Sequence, residues 1–176
     1  TFGHFQPTKD KEKYYKIIGF KVHASETCLV IFAEDVLAQR MVALKLMLHE
    51  DQWEREGELR KDETGEHLDP AHVMDLLEEP IELDEWGMTY CDKDKRLHGE
   101  GIFRYLLVMP QANRDLSDLL SHDLVAGRNL PAVVKILKQV AENLHYLHTH
   151  CTMIHGDIKS RNLVELTLDD GSSMWI

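Results

Sequence analysis

Asp157, Lys159 and Asn162 follow one another at steps of two and three inside the stretch IHGDIKSRNLV, Ile154 to Val164. A loop can turn three side chains so spaced toward one point. Their types suit phosphoryl transfer. A carboxylate orients an attacking hydroxyl and accepts its proton, a cation neutralises charge on the moving phosphoryl group, and an amide oxygen binds Mg²⁺. The same residues also suit a plain polar connection in which Asp and Asn make local turns.

The elements on either side must hold such a loop in place. Upstream, LPAVVKILKQVAENLHYLHTHC predicts a helix over 131–148. Val133, Ile136, Leu137, Val140, Ala141, Leu144 and Leu147 recur at three- and four-residue steps, and Pro131 suits the first turn. Downstream, LVELTL, the turn DDGSS and MWI predict a β-hairpin. Before the helix, NRDLSDLLSHDLVAG predicts a second helix, capped by Asn113 or Asp115 and ended by Gly127. IFRYLLVMP predicts a buried strand stopped by Pro110.

The first half has a different pattern. YYKIIGF, TCLVIFAE and RMVALKLML are short apolar runs bounded by polar residues, which predicts three antiparallel strands. The Glu- and Arg-rich section that follows, with Trp53 and Leu59, predicts a short exposed helix before Pro70. HVMDLLE reads as a fourth strand, with a helical turn as the alternative, and residues 80–101 as a charged, exposed insertion. Strands dominate the first half and helices the second. The fold class is α+β, with two lobes meeting near Met109 to Asn113. The division is an extension over 1–13, an N-lobe over 14–109 and a hinge with partial C-lobe over 110–176.

Composition narrows the partners. The chain has 176 residues and a formal net charge of -11. That balance argues against nucleic acid, whose phosphate backbone needs basic surface. It is compatible with a nucleotide met by a few local cations. Cys28, Cys91 and Cys151 are widely spaced and form no CxxC pair, which fits reduced thiols in a cytoplasmic protein. His145, His148, His150 and His155 cluster at the end of the helix, which reads as solvated histidines and one structural His rather than a zinc set. No apolar run reaches the ~20 residues of a membrane span.

HGDIKSRN resembles the catalytic loop of eukaryotic protein kinases, H-R-D-x-K-x-x-N, and VALK, Val42 to Lys45, is similar to their V-A-I-K strand. The order of elements between these motifs also resembles that family. The resemblance implies a two-lobed protein-kinase-like fold that binds ATP and Mg²⁺ and phosphorylates a protein substrate. It implies that Lys45 holds the ATP phosphates and that a glutamate of the short helix pairs with it. Glu56 is the first choice, with Glu54 and Glu58 as rivals. Ala43 would line the adenine pocket, Met109 would be the gatekeeper, backbone groups of Pro110, Gln111 and Ala112 would face the adenine edge, and Val30 would be the valine of the nucleotide-binding loop. Asp157 would be the base, Lys159 the γ-phosphate contact and Asn162 the Mg²⁺ ligand. A Lys two residues after the Asp is the serine/threonine form of the loop.

Three departures go with the resemblance. The family's G-x-G-x-x-G-x-V loop maps its glycines onto His23, Ser25 and Cys28; Gly19 falls too early. Gly156 stands where most of the family has Arg, which implies no control through an activation-loop phosphate. No D-F-G follows the hairpin, so the chain resembles the first two-thirds of a kinase domain. A missing C-lobe or other domains would then cover the long helix, whose apolar face is otherwise exposed. Two further functions are kept open: a small-molecule phosphotransferase of the aminoglycoside or choline kinase kind, which often carries H-G-D-x-x-x-x-N, and a pseudokinase acting as a binding module.

Overall fold

The computed structural model describes residues 4–5, 15–18, 23–83, 103–123, 128–168 and 170–176. Most of the 1–13 extension, Gly19, Cys91, Gly127 and most of the 80–101 insertion lie outside the described residues. The chain divides into two compact units. The first is Thr1–Arg60 with Leu76–Gln111, and the second is Lys61–Asp75 with Ala112–Ile176.

Among the described residues the first unit is an antiparallel sheet with one helix. Its strands are β1 (His4–Phe5), β2 (Tyr15–Ile17), β3 (His23–Ala24), β4 (Cys28–Asp35), β5 (Arg40–Met47), β6 (Ile81–Glu82) and β7 (Tyr105–Pro110); helix α1 is Glu50–Glu58. The strand order is β1-β2-β4-β5-β7-β6, with β3 also paired to β4. β4 and β5 pair over their full length, from Cys28 opposite Met47 to Asp35 opposite Arg40. The buried Asp35 carboxylate closes the turn between them by accepting from the Leu37 and Ala38 amides, at 3.1 and 3.0 Å.

Side chains alternate across a strand, so period-2 sequence becomes two faces. Leu29, Ile31 and Ala33 of β4 point into one core with Val42, Leu44 and Leu46 of β5 and Leu106 and Val108 of β7. Residues 72–78 form no strand. Leu77 gives a single backbone hydrogen bond, to the Val108 carbonyl at 2.8 Å, and sheet pairing with β7 belongs to Ile81–Glu82 instead. The apolar run of HVMDLLE is used differently at its two ends: Leu77 packs on the sheet core, while Val73 packs in the second unit.

The second unit holds β8 (Arg114–Asp115), α2 (Leu116–His122), α3 (Leu130–Thr149), β9 (Val164–Thr167) and β10 (Ser173–Trp175). Asp115, rather than Asn113, caps α2 by accepting from the Asp118 amide at 2.8 Å, and Asn129 caps α3 by accepting from Ala132 at 3.2 Å. β9 and β10 form the hairpin, and β8 adds a third strand on β9. Leu119, Ile136, Val140 and Trp175 make one apolar cluster.

Lys61–Asp75 belongs with this unit, not with the strands around it in sequence. The reason is packing. Leu68 and Val73 join Leu147 and Cys151 at the end of α3, and the Asp69 amide donates to the Tyr146 hydroxyl at 2.9 Å. Residues 61–75, inside the stretch expected as an N-lobe over 14–109, thus pack on α3.

Candidate functional site

Register places four candidates of the first unit on one sheet face. Directly opposed residues point the same way. Val30 pairs with Lys45, and Ala43 pairs with Met109. Ala43 and Lys45 are two residues apart on β5, so Val30, Ala43, Lys45 and Met109 share the face opposite the Leu44 core. Gln111 and Ala112 follow β7 and are half-buried; the Gln111 side-chain oxygen is buried with no hydrogen-bond partner.

α1 meets β5 and β7 along one stripe. Trp53 donates from its indole nitrogen to the Leu106 carbonyl at 3.3 Å, and its ring lies 5.0 Å from that of Tyr105. One turn on, Lys45 Nζ donates to both carboxylate oxygens of Glu56, at 2.6 Å for Oε2. Glu54 and Glu58 are exposed on the other faces of the helix. Arg60 donates to the Glu56 carbonyl, and its other terminal nitrogen lies 3.9 Å from Met109 Sδ. Reading for motifs passed over Arg60 and Gly57. The spacing 53, 56, 57, 60 was the available signal, because residues three and four apart share a helix face.

The tip between β3 and β4 is the stretch onto which the resemblance maps the family's glycines. Here Ser25 makes the turn. Its hydroxyl accepts from the Thr27 and Cys28 amides at 3.3 and 3.1 Å, and its own amide donates to the Cys28 carbonyl at 2.9 Å. Amides that a phosphate cradle presents outward are here bonded within the turn.

In the second unit the loop after α3 carries the polar trio. Lys159 Nζ donates to Asp157 Oδ2 at 2.7 Å, and Asn162 Nδ2 donates to the same oxygen at 2.8 Å and to the Asp157 carbonyl at 2.9 Å. The Lys159 hydrogen bond first, and the Asn162 one second, hold the Asp157 carboxyl below the usual carboxylate range. Asp157 is thus kept ionised, the state a proton acceptor needs. Asn162 spends its amide nitrogen on Asp157, which leaves its amide oxygen as the atom suited to a hard cation. Ser160–Asn162 form a 3-10 turn closed by the Asn162 amide on the Lys159 carbonyl at 2.9 Å.

Gly156 has φ +72°, and a Cβ there would meet nothing within 4 Å. The backbone alone demands glycine at this position, since side chains are strained in the left-handed region. An Arg, as in the family's usual loop, would be strained here. His155 accepts from the Asp157 amide at 3.3 Å. Among the described residues no group of three or more His, Cys, Asp or Glu converges as metal ligands, and no helix is long and apolar enough to cross a membrane.

No protein-family model matches the chain. Individual proteins do. The chain is 28% identical over 173 residues to the serine/threonine-protein kinase SRPK of Physarum polycephalum, an alignment covering 92% of this chain and 36% of that protein. That relative is a protein kinase, and the likeness to it runs over most of this chain. Over shorter stretches the chain is 35% identical to the probable serine/threonine-protein kinase sky1 of Dictyostelium discoideum, across 66 residues, 37% of the chain and 10% of that protein. It is 32% identical to SRSF protein kinase 3 of Homo sapiens, across 71 residues, 40% of the chain and 12% of that protein. It therefore spans about a third or less of the length of these relatives. The α+β class and the antiparallel sheet of the first unit accord with that relationship.

Proposed function

We propose that the chain carries the ATP-handling and hydroxyl-activating parts of a serine/threonine protein kinase. The observation that carries this reading is the Lys45–Glu56 ion pair, which holds a lysine rigidly on the sheet face that also bears Val30, Ala43 and Met109. A lysine so held is a fixed cation for the nucleotide's phosphates. Val30, Ala43, Met109, Gln111 and Ala112 would line the adenine site. Asp157 would accept the proton of the attacking hydroxyl, and Lys159 would neutralise charge on the γ-phosphoryl group. Asn162 would help to hold Mg²⁺, which would neutralise phosphate charge when bound.

The relatives' names favour a protein hydroxyl over a small molecule as acceptor. Gly156 is the feature the small-molecule phosphotransferases share, and it keeps that second reading in play. The bonded Ser25 turn favours weak nucleotide affinity. A cytoplasmic location belongs to the same reading.

Two measurements test it. Mg²⁺–ATP should raise the melting temperature of the chain, with about 2.7 kcal/mol of stabilisation at a hundredfold excess over Kd, and Lys45→Ala should abolish the shift. No shift in the unsubstituted chain sinks the ATP-binding reading. In the full-length gene product, phosphate transfer to basic protein, set against aminoglycosides and choline, decides the acceptor. Asp157→Asn should remove it.

A further inference from the structure

α1 carries a glycine, Gly57, in its last turn, at a buried position beside Glu56. Glycine is a poor helix former and alanine the best one, so its presence inside a nine-residue helix needs a reason. Its φ is not in the left-handed region, so the reason is not conformational. It is contact: a Cβ built on Gly57 would lie 2.9 Å from Pro80 Cγ and 3.8 Å from Pro80 Cβ. The first distance is too short for two carbons and the second is ordinary van der Waals contact. Pro80 is a stiff ring directly before β6, whose Ile81 is buried and paired with Leu106 of β7. It therefore has little freedom to yield.

α1 is also anchored one turn earlier, by Trp53 on the Leu106 carbonyl. Trp53, Glu56 and Gly57 lie on one face, at steps of three and four from Trp53. With Trp53 fixed, pressure at 57 tips the C-terminal turn away from the sheet, and Glu56 moves with it. Resting on the kinase reading above, we propose that Gly57 is a positioning residue. Its bare backbone seats against Pro80, and this contact sets the depth of α1 at which Glu56 reaches Lys45. The proposal makes residues 57 and 80 a matched pair, in which a methyl added at 57 is accommodated when the ring carbons at 80 are removed.

The test uses the 176-residue chain and reads the ion pair without nucleotide. Lys45 acylation by an amine-reactive reagent is followed by mass spectrometry, since an amine held against a carboxylate is shielded. Glu56→Gln sets the rate of the broken pair. Gly57→Ala should approach that rate, at least about fivefold above the unsubstituted chain, although alanine is the better helix former. Pro80→Ala removes the ring's Cγ and Cδ and restores a backbone N–H; it should raise the rate about twofold by loosening the seat, with circular dichroism checking that the fold is kept. The double variant Gly57→Ala/Pro80→Ala should return to the unsubstituted rate, because the new methyl fills the space of the lost ring. A purely structural glycine would not produce that reversal. An unchanged rate in Pro80→Ala, or a double variant as reactive as Gly57→Ala, overturns the proposal. So does a Glu56→Gln rate equal to that of the unsubstituted chain.

Affinity for Mg²⁺–ATP against adenosine separates this inference from the kinase reading. Gly57→Ala should weaken Mg²⁺–ATP about tenfold and adenosine less than twofold, since Lys45 would touch only phosphates. Equal losses for both ligands, or none, overturn the positioning role. Failure of the unsubstituted chain to bind either ligand overturns the kinase reading, while the acylation rates still decide the Gly57–Pro80 contact.

Discussion

Two lysine–carboxylate pairs mark the two units, and they are held in opposite ways. Lys45–Glu56 sits between a strand and a helix, with side chains only 20% and 29% exposed. Asp157–Lys159 lies within a single loop, with side chains 63% and 54% exposed. The first pair joins elements that are fixed by other contacts: β5 is flanked by β4 and β7, and α1 is pinned by Trp53 and seated on Pro80. The second is held by its own members, with Asn162 as the third. Their surroundings differ in the same sense. The sheet core includes Tyr15, Leu44, Leu46 and Leu106 at no exposure at all. α3 shows Leu130, Val134 and Leu137 to solvent, and Ile154 next to the polar trio is 85% exposed. A half-buried pair inherits its geometry from a packed sheet. An exposed pair has only local hydrogen bonds to define it.

The largest expected effect comes from the cores. Leu44→Ala should destabilise the first unit by about 2–5 kcal/mol, because a fully buried leucine leaves a cavity. Leu137→Ala, at a position 60% exposed, should change the second unit by no more than about 0.5 kcal/mol. Urea unfolding checks both, and comparable losses would break the contrast by revealing something covering α3. Next come the caps. Asp115→Ala and Asn129→Ala should each cost about 1 kcal/mol, read as loss of α2 or α3 helicity and a lower midpoint for the second unit, with the sheet unaffected.

A smaller effect separates the pairs themselves. Raising ionic strength from 0.1 to 1 M shortens the screening length from about 10 to about 3 Å. A double-mutant cycle on Asp157 and Lys159 should lose its coupling over that range, while one on Lys45 and Glu56 should keep most of it. Equal salt sensitivity would sink the distinction. The smallest effect is acid titration of Asp157. Its carboxyl is held below its ordinary value by Lys159 and then Asn162. Stabilisation from this group is therefore present above the unfolded value, about 3.9, and is lost as pH falls through the lower folded value. Carbon-13 NMR of the carboxyl should place its midpoint below 3.9 by that same reference. Lys159→Ala should move it upward.

Much of the fold was legible locally. The period-2 runs around Ile31 and Leu44 became β4 and β5, and the three- and four-residue apolar steps from Val133 to Leu147 became α3. These signals are strong because one face of each element is buried and the alternation repeats. HVMDLLE misled because a short apolar run states only that it will be buried. It does not state against what, and Val73 and Leu77 went to different units. The Asn113 or Asp115 choice at α2 was open because both are good caps two residues apart; the backbone settled it by where the first turn begins.

The sequence by itself determined which polar groups can meet in one loop. Asp157, Lys159 and Asn162 lie close enough in the chain to meet within one loop, whatever surrounds it. Gly156 was readable as an oddity, though its φ of +72° supplies the reason. Only the tertiary structure decided what Lys45 meets. Glu54, Glu56 and Glu58 have equal chemistry and lie within one turn of helix. The choice among them depends on how far α1 is rolled and how closely it approaches β5. Trp53, Leu106, Gly57 and Pro80 set those two quantities, and they come from segments that sequence spacing does not relate.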